Sequence, residues 1–205
     1  KAFDTIDHKT LLCKLSHYGI RGTAHSLLKS YLTNRVQYTT VLNEESHHNE
    51  IEFGVPQGSV LGPLIFIIYI NDIVNCSGEA KFVLFADDTN IFITGNSELE
   101  AYEKANNVLK SVSTYMYLNK LHINKSKCCY IHFRPDNRTN KVHGPQTETE
   151  LYLKIEGDKI KKVSETKFLG IIIDEKLSWD GQIKDLRRKL NYATASINRI
   201  KHSLP

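Results

Sequence analysis

No apolar run in this 205-residue sequence approaches the ~20 residues that a membrane-crossing helix needs. The best candidate, Leu64 to Ile70, is far too short. No secretory leader opens the chain either. KAFDTIDH has neither the charged start nor the apolar middle of a signal peptide, and it has no Met. Lys1 is therefore expected to be internal to a longer protein. Cysteine is scarce. Cys13, Cys76, Cys128 and Cys129 make no C-x-x-C pair and no zinc-site spacing, and the neighbours Cys128 and Cys129 cannot easily bridge to each other. A disulfide framework is thus disfavoured, and a reduced, intracellular chain is expected. There is no internal repeat.

What is present suits a folded domain. Hydrophobic content is 40% and charged content 24%, ordinary for a soluble globular protein. The length allows one domain, or one and a half, with a real core. The net charge of +4 hides a split: residues 1–100 carry 7 Lys/Arg against 12 Asp/Glu, and residues 101–205 carry 20 against 11. An acidic half beside a basic half suggests a metal-binding site next to a surface for a polyanion. The plainer alternative is two solvated faces of opposite sign.

Periodicity supplies the elements. Leu11, Leu12, Leu15 and Tyr18 have helical spacing, with Gly19 as the stop. A second short helix is expected around His25 to Leu32. Arg35 to Leu42 reads as a strand, Asn43 to Asn49 as a turn, and Ile51 to Phe53 as a returning partner. Pro63 suits the first turn of a helix that is apolar nearly all round and hence buried. Ser97 and Glu100 make a capping box for a helix whose stripe is Leu99, Tyr102, Val108, Leu109, Val112, Tyr115 and Met116. Cys128 to Phe133 is expected as a strand, and so are Leu151 to Ile155, Ile160 to Val163 and Phe168 to Ile173. Arg134 to Glu150 reads as a loop. Ile183, Leu186, Leu190, Ala193, Ile197 and Ile200 recur at alternating steps of three and four. They mark an amphipathic helix with a basic opposite face, suited to a second subdomain or a partner helix.

Two stretches carry chemistry. In FADDTNIFI, Asp87 and Asp88 lie between two β-branched and aromatic runs, KFVLF and IFIT, with turn residues between them. That places the pair at a hairpin tip. Adjacent carboxylates repel, and burial raises the cost unless a cation lies beside them. Oxygen donors of this kind suit Mg²⁺, and two such ions support displacement at phosphorus. Most Asp-Asp pairs, however, are only solvated turn residues. The second stretch, GVPQGSVLGPL, holds three glycines and two prolines ahead of the apolar helix. Glycines admit close approach of a ligand, and a helix start offers N–H groups to phosphate. The plain alternative is a loop that merely breaks a strand before a helix.

Together with KAFDTIDH, YLTNR, NKLHINKSK and KFLGIIIDEKLSW, these stretches resemble successive motifs of reverse transcriptases, closest to the non-LTR (LINE-type) retrotransposon class. The similarity spans nearly the whole chain. PQG-S-x-L-GP followed about thirty residues later by an A-D-D hairpin is its most specific part. The resemblance implies an α+β fold: a palm, with an antiparallel sheet packed on helices, over residues 1–179, and the start of a helical thumb over 180–205. The fingers are expected to be largely absent. It implies an RNA-directed DNA polymerase using two Mg²⁺ ions, or Mn²⁺ in their place, with RNA template, DNA primer and deoxynucleoside triphosphates as partners and no membrane. Localisation would follow a parent ribonucleoprotein in cytoplasm and nucleus.

Roles carry over by position. Asp87 and Asp88 match the metal-binding pair. Gln57, Gly58 and Ser59 match the loop that meets template and incoming nucleotide. Phe3 matches the bulky gate against a ribose 2′-OH, with plain core as its alternative. Lys127, or Lys125, matches a lysine acting on the leaving pyrophosphate, with a solvated basic run as its alternative. Phe168, Leu169 and Gly170 match the hairpin that grips the primer end. One departure stands out. The family's first motif reads D-x-x-K-A-F-D, and its leading Asp, the third metal-binding carboxylate, would lie three places before Lys1. Asp4 lies six residues further along, on the order of 20 Å away on a strand at ~3.3 Å per residue, and cannot replace it. This chain alone is therefore expected not to polymerise. A non-catalytic nucleic-acid-binding transposon remnant is the alternative.

Overall fold

The N-terminal leucines do form a helix. The computed structural model describes residues 2–56, 58–133 and 151–201. After a single 3-10 turn at Ala2–Asp4, helix α1 covers His8–His17. Asp7 caps it: its Oδ1 accepts the backbone N–H of Thr10 at 2.8 Å and the Thr10 hydroxyl at 2.7 Å. At the other end Gly19 sits at φ +88°, its N–H donating to Ser16 O while Ile20 N–H donates to Leu15 O. A side chain at Gly19 would resist that left-handed turn, so the glycine stops the helix where expected. Helix α2, Gly22–Leu32, packs beside α1.

The expected strand at Arg35 to Leu42 is broken in two. β1 is Val36–Gln37 and β2 is Thr40–Val41. Within the expected turn, Glu44–Glu45 forms β3, paired with β2 across a two-residue turn. Leu42 and Asn43 both have positive φ there, 49° and 68°, the geometry whose twist matches a hairpin. β4 is Asn49–Glu50 and pairs with β1, so the returning partner precedes Ile51 rather than following it. Phe53 makes an isolated bridge to Asp7 instead.

Helix α3, Leu61–Ile70, carries Pro63 in its first turn, as its missing N–H permits. A 3-10 segment, Asn71–Cys76, leads to the hairpin of β5 (Lys81–Phe85) and β6 (Asp88–Phe92). Helix α4 spans Glu98–Leu118. Ser97 accepts the Glu100 N–H at 3.2 Å, and the Glu100 carboxylate accepts the Asn96 N–H at 2.7 Å, so the capping box closes one residue earlier than its usual form. Of the expected stripe, Tyr102, Val108, Leu109 and Val112 are buried, whereas Leu99 is exposed.

Beyond α4 the strands are short. β7 is only Cys129–Tyr130, β8 is Lys154–Ile155, β9 is Asp158–Lys159 and β10 is Lys161–Lys162. The stretch expected as one strand from Phe168 to Ile173 bends back on itself: β11 is Glu165–Phe168, β12 is Ile171–Asp174, and Leu169 and Gly170 are the turn at φ 46° and 91°. Helix α5, Asp180–Ile200, follows. Among the described residues every sheet is two-stranded, and all but β7–β10 are antiparallel. The class is α+β. The loop expected at Arg134 to Glu150 lies outside the described residues. No described helix is long and apolar enough to cross a membrane.

The chain divides into two compact units. One takes Lys1–Asn124 with Leu153–Asp158, the other Lys125–Tyr152 with Lys159–Pro205. The boundary at Trp179 suggested by the family resemblance is a different division and stays an expectation. The first unit owns the core: Ile6, Leu11, Leu15, Leu32, Ile65, Phe66, Tyr69, Ile73 and Val108 are essentially inaccessible. Each such side chain stabilises by about 1.5–3 kcal/mol relative to exposure. Two polar pins cross this core. Lys14 Nζ donates to Asp72 Oδ1 and Tyr69 O, both at 2.7 Å, and Tyr115 OH donates to the same Asp72 oxygen at 2.6 Å. Burial lowers the Lys14 pKa and raises that of Tyr115, and the shared carboxylate keeps both protonated. Lys120 Nζ meets buried Asp7 at 2.7 Å. In the second unit, Asp174 gathers the N–H groups of Lys176, Ser178 and Trp179. These bonds, the Ser178 N–H foremost, lower its pKa and shape the turn into α5.

Candidate active site

The Asp-Asp hairpin is tighter than its sequence suggests. Phe85 pairs with Asp88, so the turn is only Ala86–Asp87, and Asp88, Thr89 and Asn90 belong to β6. Ala86 takes φ 51°, a left-handed conformation that costs a non-glycine residue of order 1 kcal/mol. Pairing divides the side chains between two faces. Phe82, Leu84, Ile91 and Ile93 pack against the core of the first unit. The other face carries Lys81, Val83, Phe85, Asp88, Asn90 and Phe92, by the register of the pairs. Asp87 and Asp88 are both exposed at the tip. The core-backed strands thus hold two carboxylates outward without burying either, which removes the desolvation cost that adjacent like charges would otherwise meet.

Their donor chemistry fits Mg²⁺: two hard carboxylate groups with room for water and phosphate oxygens. Among the described residues no third His, Cys, Asp or Glu completes a metal-binding group with them. Asp4 lies elsewhere. It lines a groove of about 520 Å³ with His8, Arg35, Glu52, Phe53 and Pro56, and neither Asp87 nor Asp88 borders that groove.

The first motif and the glycine-rich loop are laced together. Gly54 N–H donates to Ile6 O and Val55 N–H to Phe3 O, both at 2.8 Å, and His8 Nε2 donates to Gly54 O at 2.6 Å. Gly54 has φ +83°, and a Cβ there would stand 2.8 Å from Asp4 Cα, so only glycine fits. Phe3 is half-buried, its ring 4.8 Å from that of Phe66. Gly58, at φ +81°, has open space around it. Ser59 serves the start of α3: its hydroxyl donates to Pro56 O at 2.7 Å and accepts the Gly62 N–H at 3.0 Å. Gln57 lies outside the described residues. In the second unit Lys127 is exposed at the end of a 3-10 turn, Phe168 is half-buried, and Leu169 and Gly170 form the exposed turn between β11 and β12.

Two roles escaped the sequence reading. Asp7 is a buried cap and ion-pair partner. Burial raises its pKa, but the hydrogen bonds from Lys120 and Thr10 outweigh this and bring it down to about 2. The spacing Asp7-x-x-Thr10 ahead of an apolar-periodic run was the available signal. Ser59 as a helix cap had the same kind of signal in Ser59-x-x-Gly62.

The first unit thus carries two separate features, a core-backed hairpin with paired carboxylates at its tip and a glycine-rich loop held to the first motif. The profile of the reverse transcriptase (RNA-dependent DNA polymerase) family matches residues 1–173, and the chain belongs to that family. The probable RNA-directed DNA polymerase from transposon X-element of Drosophila melanogaster is 29% identical over 95% of this chain and 21% of that protein. The RNA-directed DNA polymerase from mobile element jockey of Drosophila funebris is 28% identical over 98% of the chain and 22% of its own length. That of transposon BS of Drosophila melanogaster is 28% identical over 92% and 21%. The non-LTR retrotransposon resemblance drawn from the motifs therefore holds. The chain spans about a fifth of the length of these curated relatives.

Proposed function

We propose that this chain is the palm, with the start of the thumb, of a retrotransposon polymerase that copies RNA into DNA. The observation that carries the reading is the rigid hairpin tip with Asp87 and Asp88 both exposed. These two residues would hold Mg²⁺, which supplies activation of the primer 3′-hydroxyl and charge neutralisation at the triphosphate. The rest of the work falls to the chain itself. Gly58 leaves backbone open to the incoming nucleotide, and Phe3, braced on Phe66, bars the ribose 2′-OH. Lys127 gives a proton to the leaving pyrophosphate. Phe168, Leu169 and Gly170 hold the primer end. Positioning of this kind does much of the catalysis in phosphoryl transfer. The basic residues 101–205 follow the template–primer backbone through phosphates, so binding is salt-sensitive and sequence-tolerant.

The third carboxylate, on this reading, comes from residues N-terminal to Lys1 in the full polypeptide. The test is primer extension on an RNA template with Mg²⁺ or Mn²⁺. A longer protein that includes those residues extends the primer, and Asp87→Asn or Asp88→Asn lowers its rate at least about a hundredfold. The 205-residue chain alone binds the hybrid without extending it. Extension by this chain alone, or full activity in Asp87→Asn, overturns the assignment. A second reading is a nucleic-acid-binding remnant without catalysis. A longer protein that binds hybrid but never extends it would establish that reading.

A further inference from the structure

Residues 34–50 are exposed without interruption, yet they are ordered by hydrogen bonds from base to tip. At the base β1 pairs with β4, and Ile51 N–H donates to Arg35 O at 2.9 Å. Midway, Ser46 N–H donates to Thr39 O and Thr39 N–H to Ser46 Oγ, both at 2.9 Å, and the Tyr38 ring stacks on His48 at 4.4 Å. At the tip β2 pairs with β3 around Leu42–Asn43. The segment is a stiff β-ribbon standing off the first unit.

Its tip is costly as it stands. Leu42 is 94% exposed and holds φ 49°, where glycine or asparagine is the usual residue. Val41 beside it is 63% exposed. An apolar residue kept in a strained, solvated turn is explained by a surface that covers it. The flanking charge limits what that surface is. Glu44, Glu45, Glu50 and Glu52 face a single cation, Arg35, over residues 34–52. A phosphate backbone would be repelled, so the surface is protein, cationic and apolar together.

The same chain carries such a surface. No residue of α5 is buried, and its apolar line is open along the helix, with Leu186 and Leu190 50% and 57% exposed. Helical spacing puts Arg187 on one flank of that line and Lys189 on the other. Asp185, one turn before Lys189 on the same flank, pairs with Arg188 and Lys189 at 2.7 Å. We propose that the ribbon tip of one copy docks on α5 of a second copy, with Val41 and Leu42 against Leu186 and Leu190, and Glu44 and Glu45 against Arg187 and Lys189. The contact is head-to-tail, so it leaves one ribbon and one α5 available for further copies.

Sedimentation velocity of the 205-residue chain over a range of concentrations tests this. Two variants each disable one side: Leu42→Asp with Glu44→Lys on the ribbon, and Leu186→Asp with Leu190→Asp on α5. All four positions are exposed, and circular dichroism checks that both variants stay folded. The wild-type chain self-associates, and raising salt from 0.05 to 0.5 M weakens association about tenfold as charge is screened. Each variant alone is monomeric at concentrations at least tenfold above the wild-type midpoint. An equimolar mixture of the two forms a 1:1 dimer and nothing larger, because each copy retains one competent side. A wild-type chain that stays monomeric, association that survives in the ribbon variant, or a mixture that does not pair overturns the proposal.

Discussion

The two compact units spend their apolar residues differently. Every buried side chain among the described residues belongs to the first unit, while α5 of the second, equally periodic, buries none. Both contain helices of 21 residues, α4 and α5. What separates them is neighbours. α4 packs against the 3-10 segment at Asn71–Cys76 and against β8, whereas the main contact of α5 among the described residues is with β12 of its own hairpin, where Gln182 Oε1 accepts the Ile172 N–H at 2.9 Å. An amphipathic pattern therefore states that a helix has a face to bury and is silent on whether the chain supplies the cover.

The largest expected effect that sharpens this contrast is a matched pair of truncations. Phe66→Ala in the first unit costs about 3–5 kcal/mol, because it opens a cavity under Phe3 and the core. Ile197→Ala in α5 changes stability by less than about 0.5 kcal/mol. Urea unfolding of both measures the difference, and equal losses would erase the distinction between the units.

Next in size is the lacing at the glycine-rich loop. Gly54→Ala sets a Cβ 2.8 Å from the Asp4 backbone at a φ of +83°. It destabilises by about 2–3 kcal/mol, readable in the same titration. A neutral substitution would show that the two motifs are not held together as described.

Acid sensitivity follows from Asp7. Its folded pKa of about 2 lies below the ordinary 3.8, so the folded state binds its proton less readily than the unfolded one. Its contribution, about 2 kcal/mol, is fully present above pH 3.8 and is lost as pH falls through 2. Unfolding titrations between pH 6 and 2 show that loss in the wild type and a flatter profile in Asp7→Asn. Ser97→Ala, which removes the α4 cap, costs about 1 kcal/mol. Smallest in energy but sharpest in contrast is hydrogen exchange. Amides of α3 and α4 exchange only through global opening, whereas those of α5 exchange through local fraying with little protection. Strong protection along α5 in the monomer would break the comparison.

Much of the site was legible in the linear order of residues. The hairpin at FADD, the stop at Gly19, the Ser97 cap and the helix after Pro63 all rest on contacts within about four positions, where side-chain chemistry decides the outcome. The failures share a different cause. Arg35 to Leu42 carries a good strand composition but splits, because the ribbon pairs with itself and buries nothing. Phe168 to Ile173 reads as one strand but turns at Leu169–Gly170, because a leucine takes the left-handed conformation beside a glycine. Asp88 seemed a turn residue and is a strand residue, since the register closes at Phe85.

The sequence alone determined the family, the order of its motifs and which carboxylates stand side by side, because these are properties of local spacing and residue chemistry. Only the tertiary structure decided that Asp7 is a buried cap held by Lys120, 113 positions away. It likewise decided that Gly54 lies against Asp4, that Ser59 serves a helix start, and that one amphipathic helix is covered while the other is open. Those outcomes depend on which distant surfaces meet, and burial, hydrogen-bond partners and charge pairing exist only after they have met.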